Sequence, residues 1–140
     1  MLYLVGKIMP VQTKTKIIVM EDDMAMAEIV SHKLESKGFS VRHAPDGAQG
    51  WEMVQKEPPD LVLLDLMMPE MDGFQVLEKI RDNADEKIKN LPVIVLSNLW
   101  SNQDILKTQA LRADEYMVKA YFTPDDILAK IEEVLKKHNN

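Results

Sequence analysis

The sequence of 140 residues contains no cysteine. This absence excludes disulfide scaffolds, zinc sites with thiolate ligands and cysteine nucleophiles, since each of them requires the thiol. The chain must therefore be stabilised by an apolar core, and a hydrophobic content of 46% is sufficient for one domain of ordinary size. A second domain has no room in this length.

Long hydrophobic runs are also missing. The apolar segment from Leu2 to Met9 is short and is interrupted by Gly6 and Lys7, so it matches neither a membrane-spanning helix nor a signal peptide. We expect a cytoplasmic protein. Residues 1–14 form an N-terminal extension of unknown structure, for which an additional strand, an unstructured tail and a misassigned start remain alternatives.

Basic residues are outnumbered, with 17 Lys and Arg against 23 Asp and Glu and a formal net charge of -6. Nucleic acids and anionic membranes attract basic surfaces, so direct binding to either is disfavoured. A protein or a metal ion is the expected partner.

Five short apolar runs alternate with helical patterns along the chain. The helical patterns place apolar residues at the 3.6-residue period, most clearly at Ile127, Leu128, Ile131, Val134 and Leu135. Several runs are apolar at successive positions, which is typical of parallel strands that are buried on both faces. The sequence thus predicts an α/β fold with five parallel strands. The predicted strands are Lys16–Met20, Phe39–His43, Leu61–Asp65, Val93–Ser97 and Glu115–Lys119.

Helix starts are marked by capping residues. Thr123, Pro124 and the acids that follow combine an N-cap, a proline in the first turn and favourable charge at the helix N-terminus. The same signal, an oxygen-bearing cap with a polar residue three positions later, recurs at other predicted starts. These pairs are Asp46 with Gln49, Asp72 with Gln75, and Ser101 with Asp104.

Polar and charged residues end the predicted strands. The first strand runs into Glu21, Asp22 and Asp23, and later strands end at Asp65 and Lys119. Parallel strands place their carboxyl ends at one edge of the sheet, where open α/β sheets bind ligands. Clustered carboxylates there favour a hard cation such as Mg²⁺. Alternatively, Asp23 only caps the next helix and its neighbours are solvated loop charges.

Asp65 precedes a loop, residues 66–73, that is stiffened by Pro69. A carboxylate held in this way can attack phosphorus when nearby positive charge neutralises the phosphoryl oxygens. Lys119 can supply that charge, and the Ser97 hydroxyl can donate to a phosphoryl oxygen. Taken singly, each of these residues is more often an ordinary strand-end or turn residue, and it is their joint placement that predicts phosphoryl chemistry.

These segments together resemble the receiver domains of two-component response regulators. The resemblance covers residues 15–137 and rests on order and spacing as well as on single motifs. It implies a (βα)5 flavodoxin-like receiver fold, with a five-stranded parallel sheet in the order 2-1-3-4-5 and helices on both faces. Residues 138–140 are then a C-terminal tail. The matching segments are Ile17–Asp23, Asp65–Gly73, Pro92–Ser97 and Tyr116–Lys119.

The resemblance implies a role for each residue at the sheet edge. Asp65 is the phosphoacceptor, and a histidine kinase or histidine phosphotransfer protein is the donor. Mg²⁺ is the cofactor, and Ser97 and Lys119 contact the phosphoryl group. The implied metal ligands are Glu21, Asp22, Asp65 and the backbone carbonyl of Met67.

The family also implies a conformational switch. On phosphorylation, Ser97 moves toward the phosphate and Tyr116 turns inward, which alters the surface formed by the fourth helix, the fifth strand and the fifth helix. An aromatic residue in a strand is otherwise usually a packing residue. The output partner is expected to be a downstream protein or a second copy of the chain. We expect a signalling domain rather than an enzyme with separate substrate turnover.

Three positions depart from the family pattern. Ala120 replaces the proline that usually follows the lysine through a cis bond, so either a strained cis bond is kept or the loop runs trans and repositions Lys119. Arg112 stands where a helix-ending glycine is common. Because a left-handed arginine costs about 1 kcal/mol, we expect the fourth helix to end differently. Asn98, beside Ser97, either hinders the phosphodonor or supplies a hydrogen bond.

Met67 and Leu99, two residues beyond Asp65 and Ser97, are both apolar. Neither side chain orients water for attack on an acyl phosphate, so we expect a long-lived phosphoryl group. Trp100 is either exposed on the switch surface or buried at the start of a helix. The three histidines, His32, His43 and His138, have no metal-ligand spacing and are assigned to the surface or to helix faces.

Few residues follow the fifth helix, so a stand-alone receiver is expected. The alternative is a pseudo-receiver, an interaction module that keeps the fold without phosphotransfer, and it is motivated by the three departures. The complete acidic set argues against it. A third hypothesis is a phosphatase with an aspartyl-phosphate intermediate. Such enzymes commonly have a second acid two residues beyond the nucleophile, and Met67 at that position argues against this hypothesis.

Overall fold

The computed structural model describes residues 14–139. Most of the predicted extension, residues 1–14, therefore lies outside the described residues, as does Asn140 at the end of the predicted tail. His138 belongs to the last helix rather than to a tail, and Asn139 caps it.

Strands and helices alternate through this part of the chain. In order they are β1 (Lys16–Met20), α1 (Met24–Glu35), β2 (Ser40–Ala44), α2 (Gly47–Lys56), β3 (Leu61–Leu64), α3 (Gly73–Arg81), β4 (Val93–Ser97), α4 (Asn102–Ala110), β5 (Glu115–Val118) and α5 (Pro124–His138). A one-turn helix, Glu86–Lys89, precedes β4, and a 3₁₀ turn, Lys119–Tyr121, follows β5. The one-turn helix was not predicted, because its polar sequence shows no apolar period.

The five strands are parallel and ordered β2-β1-β3-β4-β5, as the resemblance implied. The bounds of β1 and β4 agree with the prediction, whereas β2, β3 and β5 differ from it by one residue. Phe39 precedes β2, whereas Asp65 and Lys119 lie just beyond β3 and β5. Both functional candidates are therefore loop residues at the carboxyl edge, where their side chains are not committed to either face of the sheet.

The sheet is buried on both faces. Helices α1 and α5 cover one face through Val30, Leu34, Ile127 and Ile131, while α2 and α3 contribute to the core on the other. Every residue of β3 is at most 2% exposed, which explains its uninterrupted apolar sequence. Burial on this scale, at about 25 cal/mol per Å² of apolar surface, is the main stabilising contribution to the fold.

Helix caps form where the sequence predicts them. The side chains of Asp46, Asp72, Ser101 and Thr123 each accept a hydrogen bond from the backbone N–H three residues on. Asp72 and Thr123 form full capping boxes with Gln75 and Asp126. Each cap is worth about 1 kcal/mol and fixes where its helix begins. Among residues 14–139, no helix is both long and apolar enough to cross a membrane.

We expected the fourth helix to end without a left-handed arginine. This prediction is wrong, because Arg112 adopts the left-handed conformation with φ 61°. Its carbonyl accepts a hydrogen bond of 2.9 Å from Nη2 of Arg81. The Arg81 guanidinium is buried and also donates to the carbonyls of Lys89, Leu91 and Leu111. These charge-assisted bonds offset the cost of the left-handed arginine.

Replacing Arg112 with glycine is expected to stabilise the protein by about 0.5–1 kcal/mol, because glycine has no Cβ to oppose a positive φ. Arg112→Ala is the matched control, since alanine loses the same side chain but retains the Cβ. Urea unfolding of both variants measures the difference. Equal stability of the two variants would show that the backbone at residue 112 is unstrained.

Candidate functional site

The carboxyl edge of the sheet brings the predicted site residues together. Met20 and Leu64 are paired across β1 and β3, so Glu21 and Asp65 leave the sheet side by side. The Asp65 N–H donates to the carbonyl of Met20 at 3.0 Å. The backbone thus fixes the separation of the two acids before their side chains interact.

Lys119 joins both acids from the other side of β4. Its Nζ lies 2.8 Å from Oδ2 of Asp65 and 2.6 Å from Oε1 of Glu21. The Lys119–Ala120 bond is trans, because no cis peptide occurs in residues 14–139, and Lys119 begins the 3₁₀ turn. Loss of the family proline therefore leaves the lysine in contact with the proposed phosphoacceptor.

The carboxylate of Asp65 is held at both oxygens. Oδ2 accepts from Lys119, while Oδ1 accepts a 3.2 Å hydrogen bond from the Met67 backbone N–H. The residue is only 4% exposed. A nearly buried carboxylate with two donors has a restricted orientation, as a nucleophile in an in-line displacement requires.

The three acidic residues after β1, Glu21, Asp22 and Asp23, differ in burial and in hydrogen bonding. Glu21 is 3% exposed and accepts from the Asp23 N–H at 3.1 Å, whereas Asp22 is exposed. The Asp23 side chain accepts from the Met26 N–H and caps α1, which confirms the capping interpretation for this residue. Asp23 therefore does not belong to the acidic cluster.

Glu21, Asp22 and Asp65 form a cluster that fits a hard cation. One carboxylate oxygen from each lies within 4.8 Å of the others. Mg²⁺ prefers oxygen ligands and usually keeps several waters, through which part of a carboxylate cluster can hold it. Placement of the Met67 carbonyl among the ligands stays a prediction.

The pKa of Glu21 is raised to about 7 from 4.5. Burial is the largest cause, and the charge of Asp65 adds to it, whereas hydrogen bonds from Lys119 and Asp23 act in the opposite direction. Burial lowers the pKa of Lys119, but its hydrogen bonds to Asp65 and Glu21 outweigh burial and raise that pKa overall. One ammonium is thus shared among several carboxylates, and the cluster keeps a surplus of negative charge.

Ser97 and Tyr116 are both bonded to the backbone of Leu99. The Ser97 side chain is completely buried, and its Oγ accepts from the Leu99 N–H at 3.3 Å. The Tyr116 hydroxyl donates to the Leu99 carbonyl. Burial raises the pKa of Tyr116, and the charges of Asp104 and Asp65 raise it further. The two predicted switch residues are therefore linked through one loop residue.

His43 is a site neighbour that the sequence did not reveal. It is a partly buried residue of β2, and its Nε2 lies 2.6 Å from the Glu21 carbonyl, so this nitrogen carries a proton. Assignment of His43 to the surface or a helix face was wrong, since only the β1–β2 register places it here. His138 bonds Asp114 at 2.9 Å, and Asp114 precedes β5, at the edge of the sheet opposite to the acidic cluster.

Comparison with known proteins identifies similar chains. A family profile described as response regulator receiver domain matches residues 17–132. The chain is 35% identical over 122 residues to the DNA-binding dual master transcriptional regulator RpaA of Synechocystis. The aligned residues cover 87% of this chain and 49% of RpaA. It is 34% identical to the regulatory protein VanRc of Enterococcus gallinarum, over 88% of this chain and 51% of VanRc. The chain spans about half the length of these curated relatives.

Solved structures share the fold over nearly their full length. A CheY-like response regulator receiver domain protein from Methanospirillum hungatei superposes with a TM-score of 0.83 at 26% identity, covering 91% of this chain and 98% of that one. The chemotaxis response regulator CheY4 of Vibrio cholerae gives a TM-score of 0.79 at 28% identity, with 87% and 99% covered.

The raised pKa of Glu21 predicts a pH-dependent loss of stability in the metal-free protein. Folding favours protonated Glu21, so its contribution is fully present below pH 4.5 and is lost as pH rises through about 7. The wild type should therefore lose up to about 3 kcal/mol relative to Glu21→Gln between pH 4.5 and pH 8. Urea unfolding in a chelator at several pH values measures this difference. A difference independent of pH would contradict the raised pKa.

Proposed function

The chain belongs to the response regulator receiver domain family of two-component signal transduction, and from this membership we propose that Asp65 accepts a phosphoryl group and switches a protein-binding surface. The observation that carries this proposal is the contact of Lys119 with both Asp65 and Glu21 at the carboxyl edge of the sheet. A pseudo-receiver that had lost phosphotransfer would not need this buried charge arrangement, which is costly to maintain.

The reaction forms a bond between an Asp65 carboxylate oxygen and phosphorus. The bond from phosphorus to the donor nitrogen of a phosphohistidine breaks, and the imidazole leaves with the electron pair. Phosphoryl transfer depends mainly on positioning and charge stabilisation. The Met67 N–H and Lys119 orient the carboxylate, and Lys119 is within reach to donate to a phosphoryl oxygen once the new bond forms.

Mg²⁺ bound by Glu21, Asp22, Asp65 and the Met67 carbonyl would screen the negative charge of the cluster from that of the phosphoryl oxygens. The bonds of Glu21 to Lys119 and to the Asp23 N–H keep its carboxylate beside Asp65, where it can help to hold the ion. The buried Ser97 hydroxyl accepts from Leu99 and keeps its own proton available for a phosphoryl oxygen.

The switch follows from the two bonds at Leu99. If Ser97 moves toward the phosphoryl group, the Leu99 backbone moves with it, and the bond from Tyr116 changes. The affected surface is that of α4, β5 and α5. Trp100 and Leu106 support a binding role there, since their side chains are 66% and 63% exposed.

A histidine kinase or histidine phosphotransfer protein is the proposed donor, and the output partner is a downstream protein or a second copy of the chain. The net charge of -6 argues against direct binding of this domain to nucleic acid or to membranes. We place the domain in the cytoplasm, as a signalling domain that assists its own phosphorylation without turning over a separate substrate.

Incubation with Mg²⁺ and acetyl phosphate is expected to add about 80 Da, one phosphoryl group, to the wild type. Asp65→Ala and the isosteric Asp65→Asn remove the acceptor and should show no gain. Intact mass spectrometry, with and without a chelator, makes the measurement. If the wild type gains no mass from acetyl phosphate or from a panel of histidine phosphotransfer proteins, the pseudo-receiver is favoured instead.

The phosphorylated protein is expected to lose its phosphate slowly, because the exposed Met67 side chain beside the acceptor cannot orient water. Met67→Gln introduces an amide that can, and should accelerate hydrolysis about tenfold or more. The matched control is Met24→Gln, which places the same amide on another exposed methionine, at the start of α1. Decay followed by intact mass tests this, and equal rates in both variants would contradict it.

A further inference from the structure

Gly47, the first residue of α2, lies directly against the loop that follows Asp65. A Cβ at this position would lie 1.8 Å from the Met71 carbonyl oxygen and 2.7 Å from its carbonyl carbon. Both atoms belong to the backbone, so no rotamer change relieves the overlap. The start of α2 can reach this position only without a side chain at residue 47.

The same loop is confined at its other end. Gly73, the first residue of α3, would place a Cβ 2.3 Å from the Asp65 carbonyl oxygen, and its N–H donates to the Leu66 carbonyl at 3.0 Å. The segment 65–73 is therefore enclosed between the first residues of two helices. Asp46 and Asp72 cap those helices and fix where each begins.

The enclosed loop contains an unfavourable backbone conformation. Glu70 has φ 68°, and the Met71 N–H donates to the Pro69 carbonyl at 2.8 Å, which closes a tight turn. A left-handed glutamate is held in place only when surrounding structure determines it. The contact between Gly47 and Met71 lies at the last residue of this turn and opposes its relaxation.

We propose that Gly47 is a positioning residue for Asp65. Its missing side chain allows the start of α2 to lie against the Met71 carbonyl, and this contact fixes the 65–73 loop in the conformation in which the Met67 N–H holds Asp65 Oδ1. As far as it concerns phosphoryl transfer, the inference rests on the proposed function. The geometric part concerns the metal-free protein and is independent of that function.

Two other glycines provide matched controls. Gly38 has a positive φ, 92°, and a Cβ there meets nothing within 4 Å, so Gly38→Ala strains the backbone without touching the loop. Gly50 lies one turn further along α2, and the three atoms nearest to a Cβ there are side-chain atoms of Met20, the closest at 2.5 Å. Gly50→Ala therefore adds the same methyl group to the same helix against side-chain rather than backbone atoms.

The first test is NMR of the metal-free protein. Gly47→Ala is expected to shift the Met67 amide proton upfield, as its hydrogen bond to Asp65 lengthens, and to accelerate its exchange with solvent. Gly38→Ala should leave this amide unchanged although it lowers the melting temperature. An unchanged Met67 amide in folded Gly47→Ala, or an equal shift in Gly38→Ala, would overturn the proposal.

The second test is the rate of phosphorylation by acetyl phosphate at saturating Mg²⁺. Gly47→Ala is expected to be slower by about 10- to 100-fold, as for a displacement of about 1 Å at a reacting group. The controls should stay within about twofold of wild type. If the wild type itself accepts no phosphate, the proposed function fails, and the amide measurement still decides whether Gly47 positions Asp65.

If Gly47→Ala does not fold, Asp46→Ala serves in its place. This change removes the cap of α2 and frays its first turn, so the contact with Met71 is lost without a new clash. The same upfield shift at Met67 is expected. Asp85→Ala, which removes the cap of the one-turn helix, is its control and should leave the Met67 amide in place.

Discussion

The site depends on the ion pairs that the Lys119 ammonium forms with Glu21 and Asp65. The ammonium lies within 3 Å of both carboxylates, which are almost completely buried. Two carboxylates in this position would each suffer a large desolvation penalty without a cation. With the pKa of Glu21 raised to about 7, one ammonium still balances only part of the negative charge of the pair, and exposed Asp22 adds to that charge. The surplus of negative charge fits a hard cation.

This compensation requires the observed strand order. Lys119 follows β5, whereas its partners follow β1 and β3, and β4 separates them. Only a long side chain that starts at the carboxyl edge spans this distance. The 3₁₀ turn at Lys119–Tyr121 supplies the start, and its trans backbone shows that Ala120 is compatible with the same pairing. The contact of Lys119 with both acids thus forms without the proline.

Local signals predicted most of the fold, because caps and apolar periods act within a few residues. The caps at Asp46, Asp72, Ser101 and Thr123 formed as expected. The cluster of Glu21, Asp65 and Lys119 was also predictable, since strand ends in a parallel sheet converge. Long-range contacts with backbone groups could not be predicted from the sequence. The backbone acceptors of Arg81 come from residues 8 to 31 positions away, so nothing local indicates why Arg112 tolerates its left-handed backbone.

The same long-range contacts make the two ends of α4 unequal in how firmly they are held. Beyond its C-terminus, Leu111 and Arg112 are held by Arg81, whose guanidinium also binds the segment leading into β4. Before its N-terminus, Leu99 is connected to Ser97 and Tyr116 by single hydrogen bonds. A buried guanidinium with several acceptors is more costly to displace than one neutral bond. In the proposed switch, a displacement of Ser97 would therefore move the start of α4, next to exposed Trp100, and leave its end in place.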